Sequence, residues 1–290
     1  MTYFKSNSLN GIHNMEYKLL ALDLDGTLLN DKEGISKKNL SMIEKASRAG
    51  TKIVITTGRS YPAARPYIRM VNVPEPAITY NGAVIQNGEK ILRKITIENR
   101  IIQGLLKILK DMDYSPIIYL TDNNRYFETL GRYKNEFLQF SRRFSQYLIK
   151  VDNISERNWE NVIRITVIAG EHDVPLLHSV IKKNYGFEIK TIDTYFAEWN
   201  FWLFEILNKE SSKSKGLDYL CGTLNVNRED VIAVGDNNND LDMISWAGLG
   251  IAMKNGLTAI LREADYVTEN SNNDDGVAEV IEKFIFGSCI

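Results

Sequence analysis

Apolar positions in this chain fall into short unbroken blocks, separated by longer segments in which they recur three and four residues apart. Leu19-Leu20-Ala21-Leu22, Ile53-Val54-Ile55 and Val231-Ile232-Ala233-Val234 are blocks of the first kind, the pattern of strands buried on both faces. Between the first two, Ser36 precedes apolar Leu40, Ile43 and Ala46, and Gly50 closes the segment, which predicts a capped amphipathic helix. Pro62 falls near the start of a second helix, and Pro76-Ala77-Ile78-Thr79-Tyr80 adds another short strand. Strand, helix, strand, helix is the alternation of a parallel sheet, so the fold class is α/β with a Rossmann-like parallel-sheet core.

From about Val84 to about Asn208 the pattern changes. Asn87-Gly88 between Ala83-Val84-Ile85-Gln86 and Ile91-Leu92-Arg93-Lys94-Ile95 predicts a hairpin. Ile101, Ile102, Leu105, Leu106, Ile108, Leu109 and Met112 form a helix stripe, and Val174 to Tyr185 reads as a second helix. Strands are expected at Pro116–Leu120, Val162–Ile168 and Phe187–Ile192, with Phe201, Trp202, Phe204 and Ile206 leading back. This is an inserted α+β domain over 84–208 with two crossings to a core of 17–83 and 209–290. Arg125, Arg132, Lys134, Arg142 and Arg143 cluster with Tyr126, Phe127, Tyr133, Phe137 and Phe140. Interleaved Glu128 and Glu136 favour an amphipathic helix with a solvated charged face over a stacking surface for nucleic acid. Residues 1–16 read as a flexible leader, because the opening stretch is polar and aperiodic; the compact protein is expected to begin near Met15.

Composition changes this picture little. A net charge of -2 over 290 residues, with 44% hydrophobic residues, is that of an ordinary soluble protein and does not favour a nucleic-acid binder. The two cysteines, Cys221 and Cys289, exclude a disulfide framework and fit a reducing, cytoplasmic setting. His13, His172 and His178 have no ligand spacing and read as surface or packing residues. No apolar run approaches the roughly 18 residues of a membrane span.

Chemistry concentrates where apolar blocks end. Asp23 and Asp25 stand two positions apart past the first block, so their carboxylates converge at a strand's carboxyl end, the ligand-binding edge of open α/β sheets. Two acids so close repel unless they share a proton or a cation, and a hard divalent ion such as Mg²⁺ meets that need. Gly26 permits a tight turn and Thr27 adds a hydroxyl. Thr57-Gly58-Arg59 follows the second block; Thr57 is a hydroxyl at a strand end or simply a strand residue, and Arg59 contacts substrate or only packs on the next helix. Asn81-Gly82 by itself is a tight turn. Lys213 and Lys215 open a helix, a position the dipole disfavours for a cation. Gly235-Asp236-Asn237-Asn238-Asn239-Asp240 is a second acidic strand end. Its acids have the spacing of a calcium loop, but Leu241 and Ala247 occupy the positions that need glycine and glutamate. Gly248 and Gly250 lack the third glycine of a dinucleotide fingerprint.

Asp23-Leu24-Asp25-Gly26-Thr27-Leu28-Leu29 resembles the first signature of the haloacid dehalogenase superfamily of phosphotransferases. Thr57, Lys215-Gly216 and Gly235–Asp240 resemble its second, third and fourth signatures, in the family's order. Ala247–Met253, Asn255, Ala264–Thr268 and Asp275–Val277 are similar to the end of its Cof-like, type IIB branch, and Asn81-Gly82-Ala83 to the point where that branch begins its cap.

The resemblance implies Asp23 as nucleophile and Asp25 as acid/base, with Mg²⁺ held by Asp23, the Asp25 carbonyl and Asp236. Thr57 and Lys215 would hold phosphoryl oxygens, Lys215 being preferred to Lys213 by register. Gly58, Arg59, Asn81, Gly82 and Asn239 would line the phosphate and substrate, and Asp240 would support. It implies a phosphatase acting on a small phosphorylated metabolite, sugar phosphates first, through an aspartyl-phosphate, with a cap that closes over the site. A phosphomutase or a non-catalytic phosphometabolite-binding regulator would use the same core. Oligomeric state is not legible.

Overall fold

The computed structural model describes residues 17–144, 147–197 and 200–287. The expected leader, His13 and Cys289 lie outside them. The described chain divides into two compact units: the first holds 17–58, 63–78 and 213–287, the second 59–62 and 79–212.

In the first unit five parallel strands lie in the order Tyr266–Val267, Leu249–Ala252, Val231–Gly235, Leu19–Leu22, Lys52–Ile55. The apolar blocks are the central strands: every residue of Leu19–Leu22 and Val231–Gly235 is buried, as a sheet covered on both faces requires. Leu22 pairs with both Ile55 and Val234, so the residues that follow emerge at one edge. Helix Lys37–Arg48 begins as expected, with Ser36 Oγ accepting the Asn39 N–H at 3.0 Å. A single apolar cluster joins this helix to the sheet and to Val277, Ala278, Val280 and Ile281.

In the second unit a six-stranded sheet runs Ile189–Phe196, Phe201–Asn208, Val162–Ala169, Ile117–Leu120, Arg125–Phe127, Leu148–Lys150. Helices Asn99–Asp111 and Val174–Tyr185 bury their stripes against Ile118, Ile165, Val167, Phe204 and Ile206 on one face. Phe137 and Phe140 of helix Lys134–Phe144 pack in a second cluster with Tyr80, Ile117, Tyr119, Leu203 and Leu207. The predicted hairpin forms between Val84–Asn87 and Lys90–Lys94.

Three sequence readings need correction. Arg125, Tyr126 and Phe127 form a strand, and Arg125 is only 3% exposed, so the charged helix is confined to Lys134–Phe144. The strand expected at Phe187–Ile192 is Ile189–Phe196, held by antiparallel pairing with Phe201–Asn208. The units divide at 58/59, 62/63, 78/79 and 212/213 rather than at 83/84 and 208/209 alone; Tyr80 and Ala83 belong to the second unit's apolar cluster. Gly82 (φ 91°) shows how closely the two crossings run: a Cβ there would lie 2.0 Å from the Ser212 carbonyl oxygen.

Candidate active site

Asp23 follows Leu22 directly, its N–H donating to the Val234 carbonyl at 3.1 Å, and Asp236 follows the neighbouring strand. Adjacent parallel strands thus deliver two carboxylates to one edge. The chain then turns at Gly26 (φ 74°), where a Cβ would stand 2.3 Å from Asp236 Oδ2, so glycine is required by both conformation and space. Thr27 Oγ1 donates to Asp236 Oδ1 at 2.9 Å.

Lys213, not Lys215, supplies the buried ammonium. Its Nζ donates to Asp23 Oδ1 at 2.6 Å, to Asp240 Oδ1 and to the Thr56 carbonyl at 3.4 Å. Lys215 is exposed. The reason is helical periodicity: Lys213, Gly216, Leu217, Leu220 and Cys221 are the buried face of helix Lys213–Leu224, and a residue two positions along points some 200° away. That spacing is legible in the sequence, whereas register within the family signature points to Lys215.

Asp240, fully buried, uses both oxygens. Oδ1 takes Lys213, while Oδ2 accepts the Asp236 N–H at 3.1 Å and the Asn237 N–H at 3.0 Å, fixing the acidic turn. Asn239 lies half-buried in the same turn. Thr57 is fully buried and its N–H donates to Ile78 O at 2.9 Å; Gly58 follows it, partly exposed. Asp25 is exposed at the turn. Arg59, Asn81 and Gly82 belong to the second unit, where the Arg59 carbonyl accepts the Tyr80 N–H at 3.0 Å and Asn81 is buried in the left-handed region (φ 54°).

Charge is unbalanced in this cluster. Oxygens of Asp23, Asp236 and Asp240 lie within 4.8 Å of one another, with Lys213 as the ion-pair partner of Asp23 and Asp240. Burial, then the Asp240 charge, pushes the Asp23 carboxyl well above the usual range despite Lys213. The same two causes raise Asp236 to about 7, opposed by the Thr27 hydrogen bond. Lys213 is held protonated by Asp23 and Asp240, which outweigh the cost of its burial. Acid surplus, hard oxygen donors and an uncommitted Asp236 Oδ2 suit a divalent cation of the Mg²⁺ type. Since Asp240 is spent on Lys213 and two amides, Asp23 and Asp236 are the carboxylates available to it.

In the sequence Asn255 stands only within the stretch that resembles the end of the Cof-like branch, with no role assigned to it; in the structure its Nδ2 donates to the Gly26 carbonyl at 2.7 Å from a loop far along the chain, a contact that no local pattern marks.

The haloacid dehalogenase-like hydrolase family model matches residues 20–281. A 5-amino-6-(5-phospho-D-ribitylamino)uracil phosphatase of Bacillus subtilis is 29% identical over 269 residues, covering 92% of this chain and 97% of the relative. A Thermotoga maritima crystal structure is 28% identical with TM-score 0.78, covering 92% and 97% of the two chains. A sugar phosphatase described as haloacid dehalogenase subclass IIB has the same fold, at 23% identity and TM-score 0.74 over 92% of this chain and 98% of its own.

Proposed function

Since this chain belongs to the haloacid dehalogenase-like hydrolase family, in its Cof-like branch, we propose that it is a Mg²⁺-dependent phosphatase that works through an aspartyl-phosphate on Asp23. The enzyme class is a phosphatase; the metal, the covalent route and the residue roles are the proposal. One observation carries it: Asp23 is buried at a strand tip with Lys213 Nζ at 2.6 Å and a surplus of carboxylates around it.

Asp23 attacks phosphorus in line, and its negative charge passes into an acyl phosphate. Asp25, exposed beside it, gives a proton to the departing oxygen and later takes one from the water that cleaves the acyl phosphate. Lys213 neutralises charge on the phosphoryl oxygens while Asp240 holds its ammonium in place. Thr57 and Gly58 line the phosphoryl group from the adjacent strand end. Asp23 and Asp236 would hold the cation with the Asp25 backbone carbonyl, and the ion would supply Lewis-acid neutralisation of the transferring group.

The substrate is a small phosphorylated metabolite. A phosphorylated sugar or polyol leads, supported by the B. subtilis relative's ribityl phosphate and by the subclass IIB sugar phosphatase. Arg59, Asn81, Gly82 and Asn239 remain candidate substrate contacts. Cytoplasmic action belongs to the same proposal and rests on cysteine usage, with Cys221 a buried free thiol; among the described residues no helix is long and apolar enough to cross a membrane. A phosphate-release screen over sugar, polyol and nucleotide phosphates, run with Mg²⁺ and repeated with EDTA, tests the reading. Mg²⁺-dependent release is expected. Binding without release would point to a regulator, and an isomerised product to a mutase.

A further inference from the structure

The turn that carries Asp25 is closed by its own backbone at its far end, where Leu29 N–H donates to the Leu24 carbonyl at 2.8 Å, while Thr27 N–H reaches the Leu24 carbonyl and Leu28 N–H the Asp23 carbonyl at a longer 3.3 Å each. Two loops distant in sequence add further restraints.

Asn255 is the first. Its Nδ2 donates to the Gly26 carbonyl at 2.7 Å, and two residues on, Leu257 N–H donates to the Asp236 carbonyl at 2.9 Å. One short loop therefore grips the peptide next to Asp25 and the backbone of Asp236 together. Asn272 is the second. Its N–H donates to Asn255 Oδ1 at 2.9 Å, while its Nδ2 donates to the Leu29 carbonyl at 3.0 Å and to Asp31 Oδ1 at 3.1 Å, at the far end of the same turn. The Asn272 loop is itself anchored inside the protein. Glu279, 2% exposed, accepts the Glu269 N–H, the Asn270 N–H and Asn270 Nδ2, each at 2.9 Å, and the Tyr266 hydroxyl at 2.8 Å.

We propose that Asn255 and Asn272 are positioning residues that clamp the Asp25–Gly26 turn to the Asp236 loop and so hold the Asp25 carboxyl at the oxygen it protonates. The inference rests on the phosphatase reading above. Asn255 uses its side-chain amide both as donor to the Gly26 carbonyl and as acceptor of the Asn272 backbone N–H, and Asn272 uses Nδ2 as donor to the Leu29 carbonyl and Asp31; a hydrophobic or purely acidic side chain reproduces neither donor. Neither touches the reacting atoms. Their effect passes through a backbone carbonyl adjacent to the acid, and loosening such a contact by about 1 Å costs on the order of 10²-fold in rate.

The leaving group separates this role from a merely structural one. A sugar alkoxide needs a proton as it departs; p-nitrophenolate does not. Steady-state kinetics of the full chain with Mg²⁺ should be measured on glucose 6-phosphate and on p-nitrophenyl phosphate. For Asn255→Ala and Asn272→Ala we expect kcat/KM, which reports the leaving-group step and not hydrolysis of the acyl phosphate common to both esters, to fall about 30-fold or more on the sugar phosphate and less than about fivefold on the nitrophenyl ester. Equal losses on both esters, or no loss on either, would overturn the clamp. Asn255→Asp, which keeps the acceptor for Asn272 and removes the donor to Gly26, serves if an alanine variant fails to fold, with the same split expected. Wild-type protein inactive on both esters and on the metabolite panel would instead remove the phosphatase reading, and the clamp with it.

Discussion

Each unit of this protein buries an ion pair among its strands, and the two pairs are built to different balances. In the first unit Lys213 serves both Asp23 and Asp240, with Asp236 nearby, so negative charge exceeds positive. In the second, Arg164 and Glu205 bind one another directly on neighbouring strands, with the Arg164 guanidinium stacked 4.3 Å over the Tyr119 ring and 5.1 Å over that of Tyr80. Burial raises the Glu205 carboxyl, and Arg164 pulls it back. A matched pair fixes a fold; an acid surplus at a strand tip is an invitation to a cation and a phosphoryl group. Burial alone does not separate the two. Stoichiometry does.

The largest effect that could break this contrast is at the proposed nucleophile. Asp23→Asn should lower turnover by roughly 10⁴-fold or more in a phosphate-release assay, and a variant of near wild-type rate would end the covalent route. Lys213→Ala should cost about 10²–10³-fold in kcat, whereas Lys215→Ala should stay within about twofold; comparing the two isolates which lysine acts. In the second unit, Arg164→Met strands the Glu205 carboxylate and should destabilise by about 3–5 kcal/mol in urea unfolding. Adding Glu205→Gln should restore much of that loss, and a double variant no better than the single one would show that the pair is not matched.

The smallest expected effect concerns pH. Asp236 keeps its proton up to about 7 in the folded protein, against 3.8 when unfolded, so its contribution to stability is present at low pH and lost as pH rises through 7. A bound cation would offset both causes of this, burial first and then the Asp240 charge. Mg²⁺ should therefore raise Tm by a few degrees at about pH 8 and by less at about pH 5.5, read by thermal scanning. An equal shift at both values would mean that the acid surplus is not what receives the metal.

How far the sequence disclosed these features follows from the range of the interactions involved. Asp23 and Asp236 stand where unbroken apolar blocks stop, a local signal, and the parallel sheet follows from the same blocks. Lys213 is legible too, through its spacing to Gly216, Leu217 and Leu220 on one helical face, although register within the family signature points to Lys215. The second unit gave less away. Arg125, Arg164 and Glu205 are charges inside strands, so alternation hides them until their partners on neighbouring strands are known. Asn255 and Asn272 are further from reach, since they act on carbonyl groups of a turn more than two hundred residues earlier.

Where Gly82 lies against Ser212, the inserted module comes back to within a side chain's breadth of its departure. To the polypeptide that hosts it, so long an excursion is topologically no more than a tight bend, with almost no extra closure entropy. Lineages sharing the host sheet can then lengthen, trim or replace the excursion without disturbing the strands on either side of the splice, and a protein engineer can attempt the same graft at those two residues.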